Sequence, residues 1–146
     1  MTQSLGGAAD IIKVATDNLT SVDTINGGAG TDILKMTDAS TVIDADFTNI
    51  TNLESITQNT ASHGMNLTLG SAASSAGLVT VTGGTGTNTV TVGSGYTGAL
   101  TVALAAGTDT VNGSAQTSGS LTVTTAQDSI TSADTITGGS ATDTLT

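Results

Sequence analysis

Six aspartates in two triplets are the side chains of this sequence best placed to do chemistry. Asp17, Asp23 and Asp32 lead into and close the turn Gly27-Gly28-Ala29-Gly30-Thr31-Asp32, and Asp128, Asp134 and Asp143 repeat the arrangement around Gly138-Gly139-Ser140-Ala141-Thr142-Asp143. A carboxylate at the end of a glycine-rich turn is a hard, charged oxygen donor. Glycines such as Gly27, Gly28 and Gly30 let backbone carbonyls face the same point. Calcium takes about six to eight oxygens, so no single turn completes a site and ligands must converge from neighbouring turns. Asp17, Asp23 and Asp32 are the expected first set, and Asp128, Asp134 and Asp143 its copy.

Two further turns are partial versions. Gly83-Gly84-Thr85-Gly86-Thr87-Asn88-Thr89-Val90-Thr91 has Asn88 where the first turn has a carboxylate, and Ala106-Gly107-Thr108-Asp109-Thr110-Val111-Asn112 keeps Asp109 and only the second half. The first turn is complete over Gly27 to Lys35, whereas the last has Ala141 where a glycine is expected. Glycine-rich Asp turns also serve as plain strand connectors, so a structural reading of these acids stands beside the ionic one. Other chemistries lack their residues. His63 is the single histidine and there is no cysteine, a poor basis for a transition-metal site or a catalytic base. No serine lies in a nucleophile-elbow pattern, and Gly83-Gly84-Thr85-Gly86 lacks the lysine of a phosphate-cradling loop. The expectation is a chain that is not an enzyme.

The elements that must position these turns are short strands. Leu78 to Thr82, Ala99 to Ala103 and Ser120 to Thr124 start 21 residues apart, each with period-2 alternation and each followed by a second short run. That is one solenoid coil per period, hence about seven coils. A longer repeat lies above it. Residues 13–35 align without gaps on residues 124–146 at an offset of 111, with 12 of 23 positions identical. The chain, taken as one domain over 1–146, therefore holds one unit of about 111 residues and the start of a second. Two stretches depart from strand periodicity. Asp44 to Glu54 spaces Phe47, Ile50 and Leu53 helically, with Asp44 or Asp46 as N-cap, which predicts an excursion laying Phe47 over the core. Gly70 to Gly77 reads as one helical turn or a flexible bridge.

Composition agrees with a narrow solenoid core. Hydrophobic residues make up 36% and aromatics only 1%, so Val, Ile, Leu and Ala must fill the interior. Thirty-two threonines, 19 glycines and no proline favour strands joined by glycine turns. Twelve acidic against 2 basic side chains, with a pI near 4.1, make nucleic acid and anionic membrane surfaces poor partners and divalent cations good ones. No apolar run approaches the length of a membrane-spanning helix, and Met1-Thr2-Gln3-Ser4 lacks the basic and apolar parts of a signal peptide. No membrane insertion is expected, and an export signal is expected outside this chain.

On Asp23 to Asp32, Ala45 to Glu54 and Gly98 to Val102, the sequence resembles the RTX (repeats-in-toxin) β-roll proteins, and more closely the repetitive bacterial surface-layer proteins and giant adhesins. Gly27 to Lys35 fits their nonapeptide G-G-x-G-x-D-x-U-x, where U is a large apolar residue. Asn88, Ala141 and the wide separation of the nonapeptides depart from it. The resemblance implies a calcium-dependent parallel β-solenoid, secreted without a cleaved N-terminal signal and working outside the cell.

The combined expectation is an all-β, right-handed parallel β-solenoid with coils of about 21 residues. Calcium is its expected cofactor, held at Asp17, Asp23, Gly27, Gly28, Gly30, Asp32, Asp109, Asp128, Asp134, Gly138 and Asp143. Acidic turns would repel one another at low calcium and close where calcium is abundant. Because residues 124–146 resemble 13–35, head-to-tail self-association into a fibre or lattice is expected. The competing class is a ligand-binding module. Thr-x-Thr pairs at Thr80/Thr82, Thr89/Thr91, Thr122/Thr124 and Thr135/Thr137 could stack into an ice-binding ladder, with Ala103 interrupting it. A carbohydrate-binding adhesin would need an aromatic platform, for which Tyr96 and Phe47 are too few.

Overall fold

The computed structural model describes residues 1–15, 18–60, 62–126 and 129–146. Asp17 and Asp128, expected metal ligands, lie outside the described residues. The described strands, in chain order, are β1 (Thr2–Ser4), β2 (Ile11–Val14), β3 (Thr24–Asn26), β4 (Ile33–Met36), β5 (Ser40–Val42), β6 (Ile50–Thr51), β7 (Ser55–Gln58) and β8 (Met65–Leu69). They continue with β9 (Thr80–Thr82), β10 (Thr89–Val92), β11 (Leu100–Leu104), β12 (Thr110–Asn112), β13 (Leu121–Thr125), β14 (Thr135–Thr137) and β15 (Thr144–Leu145). Every pairing is parallel and joins a strand to one a coil away. This is the parallel β-solenoid that the alternation predicts.

One sheet runs the length of the molecule, in the order β15-β13-β11-β9-β7-β4-β2, so the chain makes about six turns among the described residues. We call it the long face. Two shorter sheets lie on the other sides, β1-β3-β6 near the start and β14-β12-β10-β8-β5 further on. Coil length varies with what each coil carries: Thr80 pairs with Thr101, 21 residues on, whereas Thr110 pairs with Thr135, 25 residues on. Register makes the core a set of aliphatic columns. Ile12, Leu34, Ile56, Val81, Val102, Val123 and Leu145 follow one another along the long face, and Val42, Leu67, Val90, Val111 and Ile136 along the five-stranded sheet. All of these but Ile136 and Leu145, in the last coil, are buried. Narrow columns of this kind leave little room for rings, which accounts for the aromatic scarcity.

Both helical excursions form. Asp44–Phe47 is a 3-10 turn with Phe47 buried, and α1 (Ser71–Ala76) is an α-helix that Gly77 ends in a left-handed conformation. Asp44 acts as a cap, but for the next coil: its carboxylate accepts the N–H groups of Gly70, Ala72 and Ala73 at the start of α1 at 2.7, 3.2 and 2.9 Å. Asp46 Oδ2 accepts the Ile43 N–H at 3.0 Å.

The two copies of the long repeat dock differently. β3 and β14 are matching segments, yet β3 pairs with β1 and β6 in the three-stranded sheet, while β14 pairs with β12 in the five-stranded one.

Candidate metal centre

The residue just before a strand supplies the bonds that tie coil to coil. Asp10 precedes β2, Asp32 precedes β4 and Glu54 precedes β7. The Asp10 N–H donates to Asp32 Oδ1 at 2.8 Å, and the Asp32 N–H donates to Glu54 Oε2 at 2.8 Å. Each side-chain oxygen thus reaches back one coil to a backbone N–H at the strand entrance. The last coil repeats the device, with Leu121 N–H donating to Asp143 Oδ1 at 2.8 Å. A second rail runs along the entrance to the five-stranded sheet: Met65 N–H to Asn88 Oδ1 at 3.3 Å, Asn88 N–H to Asp109 Oδ1 at 2.8 Å, and Asp109 N–H to Asp134 Oδ1 at 2.7 Å. Hydrogen bonds to ionised acceptors are among the stronger ones, worth about 1.5–3 kcal/mol each.

Asp23 and Asp134 sit in matching turns. The Thr20 N–H and hydroxyl donate to Asp23 Oδ2, as those of Thr131 do to Asp134 Oδ2. The Met1 ammonium bonds to Asp23 Oδ1, the oxygen position that receives the Asp109 N–H in Asp134. The Asp109 N–H above all, then Thr131, holds the Asp134 carboxyl below its ordinary range. Asp23 stands before β3 and Asp32 before β4, so the two belong to different strand entrances. Among the described residues no three acidic or histidine side chains gather in one place. A metal ion held by the described residues alone would take much of its coordination from backbone carbonyls.

The three nonapeptide-like turns, at Asn88, Asp143 and Asp32, differ in how the side chain at that position is engaged. At Asn88 the side-chain Nδ2 donates to Gly84 O at 2.8 Å, Gly86 O at 2.9 Å and Asp109 Oδ1 at 2.9 Å. At Asp143 the second carboxylate oxygen accepts the Gly139 N–H at 2.7 Å. At Asp32, a fully buried residue, Oδ2 has no hydrogen-bond partner. A Cβ on Gly27 would fall 2.5 Å from that oxygen and 1.9 Å from the backbone carbonyl oxygen of Asn52, so both oxygens pack against the Gly27 α-carbon and only glycine fits there. Asn52 has a left-handed backbone, φ 53°, which turns the chain where its carbonyl packs against Gly27. A buried carboxylate oxygen without a donor costs free energy that a bound cation would recover. The Asp32 carboxylate, a hard charged oxygen left without a donor, has the chemistry that calcium takes; Gly28 (φ 97°) and Gly30 (φ 133°) shape the turn that it closes.

The other expected ligands are thus placed but engaged. Asp109 is buried and shares Oδ1 between two donors of Asn88, and Gly138 packs against Asp143. Asp10 and Glu54 were not expected on the rail. Their signal in the sequence is the 22-residue spacing of positions 10, 32 and 54, which repeats coil by coil before a β-strand. His63 lines an open groove of about 480 Å³ on the five-stranded sheet with Thr41, Asn66, Thr87 and Thr89, away from the Asp32 turn.

Residues 21–35 and 131–146 match the family description of the RTX calcium-binding nonapeptide repeat (4 copies). The matches fall on the turns ending in Asp32 and Asp143 and leave the middle of the chain uncovered. These two segments are similar to repeats that bind calcium, and they lie in a chain that folds as a parallel β-solenoid. No curated protein and no solved structure matches the chain.

Proposed function

We propose that this chain is a non-enzymatic structural module of a secreted or cell-surface bacterial protein, a β-solenoid whose early coils are fastened by calcium at the Asp32 turn. The observation that carries the proposal is the buried, unpartnered Asp32 Oδ2, inside a segment similar to a calcium-binding repeat. Asp10, Asp32 and Glu54 enter adjacent strands whose backbones lie about 5 Å apart, and the negative charges of successive coils repel. A divalent ion offsets that repulsion, so the coils order best where calcium is plentiful and stay looser where it is scarce. The settings that suit such a module are a surface layer, an adhesin stalk or a self-assembling fibre. Similarity of residues 124–146 to 13–35 supports head-to-tail stacking of like coils. Thermal melts followed by circular dichroism, with calcium and with chelator, test the ion's role: calcium should raise the midpoint, and identical melts would sink the proposal. Sedimentation in saturating calcium tests the stacking, which a monomer at high concentration would refute.

A second reading has one observation in its favour. Thr41, Asn66, Thr89, Thr110 and Thr135 stand in register on the five-stranded sheet, with Thr68, Thr91, Asn112 and Thr137 in the parallel row. Rows of hydroxyl and amide groups at strand spacing suit an ordered hydroxylated surface such as ice. A thermal hysteresis assay decides it. An aromatic sugar platform is ruled out for the described residues, because Phe47 and Tyr96 are both buried.

A further inference from the structure

The turns ending in Asp32 and Asp143 are copies of one repeat, yet one leaves a carboxylate oxygen open and the other closes it. The difference lies in the destination of one N–H. Gly139 donates to Asp143 Oδ2 at 2.7 Å, whereas its counterpart Gly28 donates to Asn26 Oδ1 at 3.1 Å. Asn26 sits two residues before Gly28 and makes an Asx-type turn, which captures the N–H that would otherwise quench Asp32. Position 137, the counterpart of Asn26, is Thr, whose hydroxyl makes such turns more weakly. Asn26 Oδ1 also accepts the Asn52 side-chain Nδ2 at 2.8 Å, and the Asn52 carbonyl packs against Gly27, the first glycine of the same turn.

We infer that Asn26 is the positioning residue that selects the Asp32 turn, and not the Asp143 turn, as the calcium-accepting member of the pair, an inference that rests on the calcium reading above. One amide oxygen performs both tasks, diverting the Gly28 N–H and tying the turn to Asn52 in the next coil. The copies also differ at Gly30, where Ala141 stands, and a substitution at position 26 isolates the amide because it leaves Gly30 in place.

The experiment titrates the full chain with calcium chloride by calorimetry, for the wild type, Asn26→Thr and Asn26→Asp. Asn26→Thr frees the Gly28 N–H to close on Asp32, and calcium affinity should fall about tenfold or more, because a ligating oxygen is taken by a donor. Asn26→Asp retains an acceptor for Gly28 and for Asn52, and should keep calcium affinity near that of the wild type. The Gly28 amide resonance in calcium-free protein gives a readout that mere destabilisation does not move: it should shift in Asn26→Thr and stay in Asn26→Asp. Wild-type affinity in Asn26→Thr, or equal loss in both variants, overturns the inference. A wild-type chain that takes up no calcium removes the calcium reading itself, and this inference with it.

Discussion

Asn88 gives both of its nitrogens to one oxygen: its backbone N–H and its side-chain Nδ2 donate to Asp109 Oδ1 at 2.8 and 2.9 Å. The same Nδ2 reaches the carbonyls of Gly84 and Gly86, so a neutral amide stands among three oxygens as a small cation could. This turn is fastened by the chain itself. A solenoid so built has one turn closed by its own amide and one, at Asp32, whose second carboxylate oxygen is left without a donor.

Replacing Asn88 by Asp should convert the first kind of clasp into the second. Asn88→Asp sets a carboxylate against Asp109 and two carbonyls with no donor between them. In chelator it should lose about 2–4 kcal/mol, the cost of buried acceptors left unpaired, and calcium should restore most of it. Denaturant melts with and without calcium measure this, and a variant that matches the wild type in chelator would contradict the account.

Asp44 fastens the helical excursion from the coil before it. Asp44→Ala removes an acceptor from three N–H groups at the start of α1 and should cost about 1–2 kcal/mol, in the range of a lost helix cap. Hydrogen exchange at Gly70, Ala72 and Ala73 should quicken more than exchange in β9 or β11. Uniform quickening would mean that the loss is global.

Tyr96 is fully buried and its hydroxyl donates to the Leu78 carbonyl. Burial pushes its phenol from the ordinary value of 10.0 up to about 12. A folded-state value above the unfolded one means that stability is complete below pH 10.0 and declines as pH rises toward 12. Ultraviolet titration should show the phenolate appearing together with unfolding; phenolate formation near pH 10.0 in a folded chain would refute it. Tyr96→Phe leaves the Leu78 carbonyl unpaired and should cost about 1–3 kcal/mol.

Asp134 carries the opposite sign. The Asp109 and Thr131 N–H groups lower its carboxyl below the ordinary 3.8, so its contribution is present above that pH and fades as pH falls through its lower folded value. Asp134→Asn should flatten this acid limb of the melting-temperature profile. An unchanged acid limb would show that the pairing has no part in acid stability.

Much of this architecture was legible from residue type and period. Alternation at Leu78 to Thr82 and its successors predicted strands and coils, and Phe47, Ile50 and Leu53 predicted the excursion at Asp44. The glycine turn ending in Asp32 stood out for the same local reason, since a left-handed backbone and a following apolar residue leave marks in nine consecutive positions. The coil length drifted from the predicted 21 residues, because a coil that carries a helical turn or a longer corner lengthens without disturbing the register of its core column.

The sequence by itself determined the periodic pattern: narrow aliphatic columns, turns rich in glycine and acid, and a repeat whose two copies look alike. Only the tertiary structure decided what each copy does. Which sheet receives β3 or β14 depends on the neighbouring coil, and no residue inside either segment records it. The rail from Asp10 through Asp32 to Glu54 joins atoms 22 positions apart, a distance that the chain closes only by winding. Whether a carboxylate is quenched or left open depends on one N–H direction, set by Asn26 in one turn and absent from the other. Such a choice is a matter of a few ångströms between coils, and it exists only once the coils are stacked.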